Sequence, residues 1–285
     1  MKAKKKIEQF LGFFLLRLSL FVVLAVLLLF LYDIGRKGGG AISWEFLTTA
    51  PRRGMTQGGI FPAIVGTFLV TIITAVLAVP LGMAAAIYLN EYARQTRLTR
   101  IIRLAIRNLS GVPSIVYGLF GVILFVNILR FGTSILSAGL TLGLLTLPWT
   151  ITASEEALKT VPNSFREGAL ALGATKWQSI RTNVLPYAVP GMLTGTVLGL
   201  ARAAGETAPI MFTGAAFYLP YLPKSLGDQF MAMPYHLYIL ATQHHAILQV
   251  RPLAYGTALV LIVFVLGMNL TSVIIRARLR RKRRI

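Results

Sequence analysis

The chain is predicted to be an all-α membrane protein of six transmembrane helices, and three observations carry that expectation. Of its 285 residues, 55% are hydrophobic and only 13% charged, more apolar surface than an ordinary soluble domain can bury. The apolar residues come in runs close to the ~20 residues a helix needs to cross ~30 Å of hydrocarbon. The formal charge of +20 lies almost wholly between those runs, where basic residues orient a chain in a bilayer. A nucleic-acid domain would spread them over a polar surface instead, so no nucleic-acid partner is expected. With no cysteine, disulfides and thiolate metal sites are ruled out.

Six spans can be drawn, at 10–32, 60–88, 108–130, 134–153, 188–214 and 252–275. The first follows MKAKKK but is longer than the apolar core of a secretory signal, and no small-x-small cleavage site follows Tyr32. It reads as an uncleaved anchor helix within an N-terminal unit of residues 1–59. Arg17 lies close enough to its basic end to snorkel to the headgroups. Only Arg130 to Thr133 separate the third and fourth spans, which predicts a tight helical hairpin.

Twenty lysines and arginines fall in segments 2–6, 94–107, 159–181 and 276–284, against seven in the alternate segments. That asymmetry puts both termini in the cytoplasm. The basic tail, 277–285, is then a stop and an anchor to membrane lipid. Segment 215–251 is rich in Tyr and Pro, a composition that favours a compact interfacial lid over long helices. His236, His244 and His245 lie there without ligand spacing or accompanying carboxylates, so no metal site is expected.

Segment 154–187 is too polar to remain in lipid, yet apolar runs flank it. Its local grammar is helix, turn, helix. Ser164 to Glu167 and Thr175 to Gln178 each fit a capping box that starts a short helix. Gly173 suits the left-handed end of the first helix, and Pro186 the end of the second. Two readings of Glu167 stand side by side. It is the third residue of a capping box, or it belongs to a projecting helix that enters a groove on a cytoplasmic partner with Phe165, Ala169 and Leu172 as its apolar stripe.

In the fifth span Gly191, Gly195 and Gly199 recur every four residues, a stripe that lets another helix approach closely. At 100° per residue, Arg202 and Glu206 fall on that same face. Buried in the bilayer they must pair or be wetted. Either they form an ion pair where two helices pack, or the glycine face lines a water-filled path in which the guanidinium offers paired hydrogen bonds to an oxyanion. Thr207 follows directly. Asn108, Ser110 and Ser114 in the third span could add donors to such a path or serve as interhelical glue, and glue is the reading for Thr67, Thr71 and Thr74.

Glu167, Ala169, Gly173, Leu185 and Pro186 match the spacing of the EAA loop of ABC-importer permeases, which the segment resembles. Gly168 replaces the first Ala of that pattern and Asn183 its Ile. Residues 202–209, RAAGETAP, and 110–121, SGVPSIVYGLFG, resemble motifs of PstA-type permeases of phosphate importers. The resemblance implies a type I importer (MetI-like) fold over 60–276, with a cytoplasmic coupling helix, in a bacterial inner membrane. It implies phosphate as substrate, a second permease of PstC type, a pair of PstB-type ATPase subunits and a PstS-type external binding protein. No Gly-x-x-x-x-Gly-Lys-Ser/Thr loop occurs in the chain, so ATP and Mg are expected on the ATPase, with no cofactor and no catalysis here. Two rivals stand against this. One is a permease for sulfate, molybdate or phosphonate; the other is an ion-driven carrier with Glu206 as proton carrier.

Overall fold

A computed structural model describes residues 2–281. From the N-terminus, α1 (Lys2–Gly39) leads to the short α2 (Trp44–Thr48) and a hairpin of β1 (Pro51–Arg52) and β2 (Gln57–Gly58). Next comes α3 (Phe61–Ile87), which ends in a π-helical turn, Tyr88–Tyr92. The helices α4 (Arg97–Leu109) and α5 (Ser114–Gly121) meet at an elbow of 100°, and a π-helical segment, Val122–Ile128, extends α5. Then follow α6 (Ile135–Lys159), α7 (Ser164–Ala171) and α8 (Lys176–Ser179). A third π-helical turn, Ile180–Val184, runs without a break into α9 (Leu185–Ala203). The chain finishes with α10 (Ala208–Thr213), α11 (Met233–Thr242) and α12 (Ile247–Arg281).

Five stretches are long and apolar enough to cross a membrane: Gln9–Gly39, Phe61–Tyr92, Ile135–Lys159, Lys176–Ala203 and Ile247–Arg278. The bent α4–α5 pair makes a sixth. Two expected boundaries are corrected. The third span begins at Ser114, not at 108, because Gly111 and Pro113 break the helix and the arginines before them resist hydrocarbon. Asn108 therefore lies in the last turn of α4, and Ser110 sits in the elbow. The fifth span begins at Lys176 and stops at Ala203 instead of running from 188 to 214. Gly205 lowers helix propensity there, and Pro209 has no N–H to continue the ladder.

The centre of the molecule is α6, gripped between α3 and α9. Sixty-seven per cent of its most apolar stretch is buried, against none of α1's and 6% of α12's. Glycines set the spacing on both sides. A side chain at Gly139 would collide with Ile73, one at Gly143 with Leu77, and one at Gly195 with Ala153. Two of the three threonines join elements as expected: the Thr67 hydroxyl oxygen accepts the Met233 N–H at 2.8 Å, and Thr74 Oγ1 donates to the Gly139 carbonyl at 3.3 Å, while Thr71 donates to the Thr67 carbonyl of its own helix.

The expected lid at 215–251 is compact, with Phe230, Met231 and Met233 buried. It is fastened to the start of α6 by Ile135 N–H to Asp228 O at 2.9 Å and Leu136 N–H to Leu226 O at 3.1 Å. His244 bonds the Gly54 carbonyl of the first hairpin at 2.7 Å.

Candidate functional site

The polar segment after α6 has the helix-turn-helix form its sequence implies, with one cap misplaced. Ser164 is the first helical residue of α7 rather than its cap; Asn163 holds the cap position without a side-chain bond. The first capping box does not form, since a residue already helical cannot turn its hydroxyl back onto the third amide. Glu167 is thereby freed from that duty. It is exposed, and its side chain makes no hydrogen bond or ion pair among the described residues.

At the other end of α7 the chain turns at Gly173, φ +84°. Gly173 N–H donates to Leu170 O at 3.0 Å and Ala174 N–H to Ala169 O at 3.1 Å, a Schellman closure. The second capping box is present: Thr175 N–H donates to Gln178 Oε1 at 2.7 Å, and Gln178 N–H to Thr175 Oγ1 at 3.3 Å. Pro186 does not end this second helix. It sits in the first turn of α9, and the preceding π-helical turn absorbs the amide that proline lacks.

The proposed apolar stripe of α7 is divided by the fold. Ala169 is buried and Phe165 half-buried, with the Phe165 ring edge-on to Tyr187 at 4.5 Å. Phe165 packs against the chain's own buried cluster of Leu158, Val161 and Val184, so these two residues seat α7 rather than reach outward. The outward side is Ser164, Glu167, Gly168 and Ala171, at i, i+3, i+4 and i+7, followed by Leu172, which is 91% exposed.

What holds α7 in place is a pair the sequence reading passed over. Arg166 Nε donates to Glu91 Oε2 at 3.0 Å and Arg166 Nη2 to Glu91 Oε1 at 2.7 Å. The same guanidinium donates to the carbonyls of Val161 at 2.8 Å and Leu158 at 3.2 Å. One side chain thus fastens α7 to the end of α3 and to the end of α6. A second pair lies alongside: Arg103 of α4 approaches Glu155 of α6 at 2.8 Å, without hydrogen-bond alignment, and donates to Leu89 O at 2.7 Å. The available signal was scarcity. Only nine acidic residues face 29 basic ones, so a carboxylate at the edge of an apolar span was marked for pairing.

The second candidate cluster lies where α9 ends. Gly191 and Gly195 seat the helix against Ala157 and Ala153 of α6, and Gly199 against Thr146. The glycine face is therefore a helix seam against α6. Arg202 lies at the end of that seam, about half exposed, its guanidinium 4.9 Å from the centre of the Trp149 ring. Glu206 lies beyond the last helical turn, where its N–H donates to Ala203 O at 3.1 Å. The two charges approach at 3.6 Å, a loose contact, and Arg202 makes no side-chain hydrogen bond among the described residues.

Thr207 is half-buried at the start of α10. Ser114 opens α5 one turn before Gly118, which packs against Ala208 and Pro209. Asn108 stays in the last turn of α4 and Ser110 in the elbow, and no hydrogen bond joins either to Arg202 among the described residues. A half-exposed guanidinium on an aromatic face, with one weak counter-charge, can hold an anion and release it.

A family model described as "binding-protein-dependent transport system inner membrane component" matches residues 78–285. The chain belongs to that family. As such it is a multi-pass permease component of an ABC transporter, and hydrolysis of ATP is the task of a separate subunit. The permease is 36% identical over 273 residues to "phosphate transport system permease protein PstA 1" of Mycobacterium tuberculosis strain H37Rv, covering 94% of this chain and 87% of that protein. It is 32% identical over 264 residues to "probable ABC transporter permease protein YqgI" of Bacillus subtilis, covering 88% and 89%. Among solved structures, a bacterial ABC transporter that imports the polysaccharide alginate superposes with a TM-score of 0.64 at 15% identity, covering 98% of this permease and 99% of that chain. The MetNI methionine transporter gives 0.61 at 16%, covering 77% and 97%. These likenesses show the type I importer permease fold.

Proposed function

We propose that this permease is one half of the membrane path of an ATP-driven phosphate importer. The observation that carries the reading is Arg202, a half-exposed guanidinium at the end of a membrane helix, in a chain several of whose relatives over most of its length are named phosphate permeases. A guanidinium matches the oxygens of a tetrahedral oxyanion two at a time, while Glu206 nearby and Trp149 beneath keep it oriented.

The partners in this reading are a PstC-type permease, a PstB-type ATPase pair carrying ATP and Mg, and a PstS-type external binding protein. This chain binds no cofactor of its own. Both termini face the cytoplasm, as the basic segments direct. The exposed face of α7, from Glu167 through Gly168 and Ala171 to Leu172, meets the ATPase in a helix-in-groove contact. Motion imposed there has two routes into the membrane. Arg166 passes it to α3 and α6 through Glu91 and two carbonyls. The helix from Lys176 to Ala203 passes it to Arg202, 28 residues or roughly 42 Å at 1.5 Å per residue. Transport follows as the bound and released states of the ATPase favour opposite openings of the path.

The test is purification of the permease from its native membrane with whatever accompanies it, followed by ATP hydrolysis measured in lipid vesicles. Phosphate with its binding protein should raise the rate several-fold. Stimulation by sulfate or molybdate alone would move the substrate, and a permease that arrives without an ATPase would overturn the reading.

A further inference from the structure

The helix α4 lies just before the expected third span and overlaps only its first two residues, and its surface is divided into three strips. Arg97, Arg100, Arg103 and Arg107 occupy one strip, within a 120° arc at 100° per residue. Leu98, Ile101, Ala105 and Leu109 occupy another, centred about 140° away and exposed, with Ile101 62% accessible, while the exposed Leu104 falls inside the arginine arc. Between them Thr99 is buried, and Arg103 is drawn in to Glu155 on α6 and Leu89 O on α3. The other three arginines are exposed and make no hydrogen bond or ion pair among the described residues.

The elbow decides how this helix is presented. Because α5 enters the membrane and meets α4 at 100°, α4 lies along the bilayer plane at its boundary. Tyr117 Oη donates to Leu109 O at 3.0 Å and braces the corner. On α5 beyond the elbow, Ile115, Val116 and Leu119 are exposed and apolar as well. An amphipathic helix in that position rests its apolar side at the acyl boundary and holds its basic side among headgroups.

We propose that α4 is a membrane-surface helix that binds the phosphodiester headgroups of anionic phospholipids through Arg97, Arg100 and Arg107. A soluble anion would have no use for the apolar strip, and a protein groove would leave the arginine row without its counter-charge. The fourth arginine ties this lipid contact to α6 and to the end of α3, the same two elements that Arg166 grips from α7. Lipid composition at this surface therefore acts on the platform that carries the coupling helix.

The absence of cysteine from the chain makes the test direct. An Ile101→Cys variant carrying a bimane fluorophore is reconstituted, in its complete transporter with partner thiols blocked, into phosphatidylcholine vesicles. Equal small fractions of doxyl-labelled phosphatidylglycerol or doxyl-labelled phosphatidylcholine are then added. The anionic quencher is expected to be the more effective, since each arginine near the surface enriches anionic lipid up to about fivefold. With Arg97→Gln, Arg100→Gln and Arg107→Gln combined, the two lipids should quench equally. The single Arg100→Gln variant, expected to lose part of the preference, keeps the test decisive should the triple variant fail to assemble. Equal quenching with all three arginines in place overturns the proposal, and so does no quenching by either lipid, which means a protein surface covers the strip.

Discussion

The two arginine–glutamate pairs of this permease are built in opposite ways. Arg166 and Glu91 come from positions 75 residues apart and meet through two hydrogen bonds, with side chains 19% and 5% exposed. Arg202 and Glu206 are near neighbours at a helix end, 3.6 Å apart, with side chains 51% and 17% exposed. The first pair is almost withdrawn from water, and every donor on its arginine that faces a carbonyl is used. Such a pair is rigid because neither charge can be left alone there. The second leaves a half-exposed cation whose partner holds it weakly. The same two residue types make a joint in one place and, in the function proposed, an anion receptor in the other, and the surroundings decide which.

Substitutions should separate the two roles. Glu91→Gln is expected to act most strongly, because it strands a buried guanidinium: about 3–5 kcal/mol of stability lost in thermal unfolding of the purified transporter, and less phosphate moved per ATP hydrolysed. Exchanging the charges, Glu91→Arg with Arg166→Glu, should recover part of both. A Glu91→Gln variant as stable and as tightly coupled as the parent would remove the joint from the argument. Gly173→Val comes next. Nothing lies within 4 Å of a side chain added there, but the positive φ remains, and the strain amounts to about 1–2 kcal/mol. With the turn after α7 distorted and the bundle intact, ATP hydrolysis should lose its dependence on the binding protein, as read in vesicles. Arg202→Ala should disturb the fold least, by less than about 1 kcal/mol, and yet lower phosphate uptake at least tenfold. Parental uptake in that variant would refute the receptor role.

The membrane spans were legible because a long apolar run has few alternatives to a helix in lipid. The second capping box and the Gly173 turn were legible because each is set by neighbours within three or four residues. Errors arose where one local pattern had a competitor. Ser164 could cap α7, but Asn163 one residue earlier holds the position instead. Glu206 completed a wheel with Arg202, but Gly205 and Pro209 had already ended the helix on which that wheel depended. The glycine stripe announced a close approach without naming the approaching surface, which is α6. Arg166 and Glu91 were invisible for a different reason: no periodicity connects residues that only tertiary packing brings together.

The separation of Glu91 from Arg166 also sets an order of events during synthesis. The carboxylate leaves the ribosome 75 residues before the only guanidinium that pairs with it among the described residues. At ~5–20 residues per second that interval is roughly 4–15 s. For that time Glu91 must remain hydrated or protonated, so the end of α3 cannot settle into its final burial when α3 itself is inserted. The joint closes only after α4, α5 and α6 have been made, and the coupling helix reports, by closing it, that the helices before it are in place.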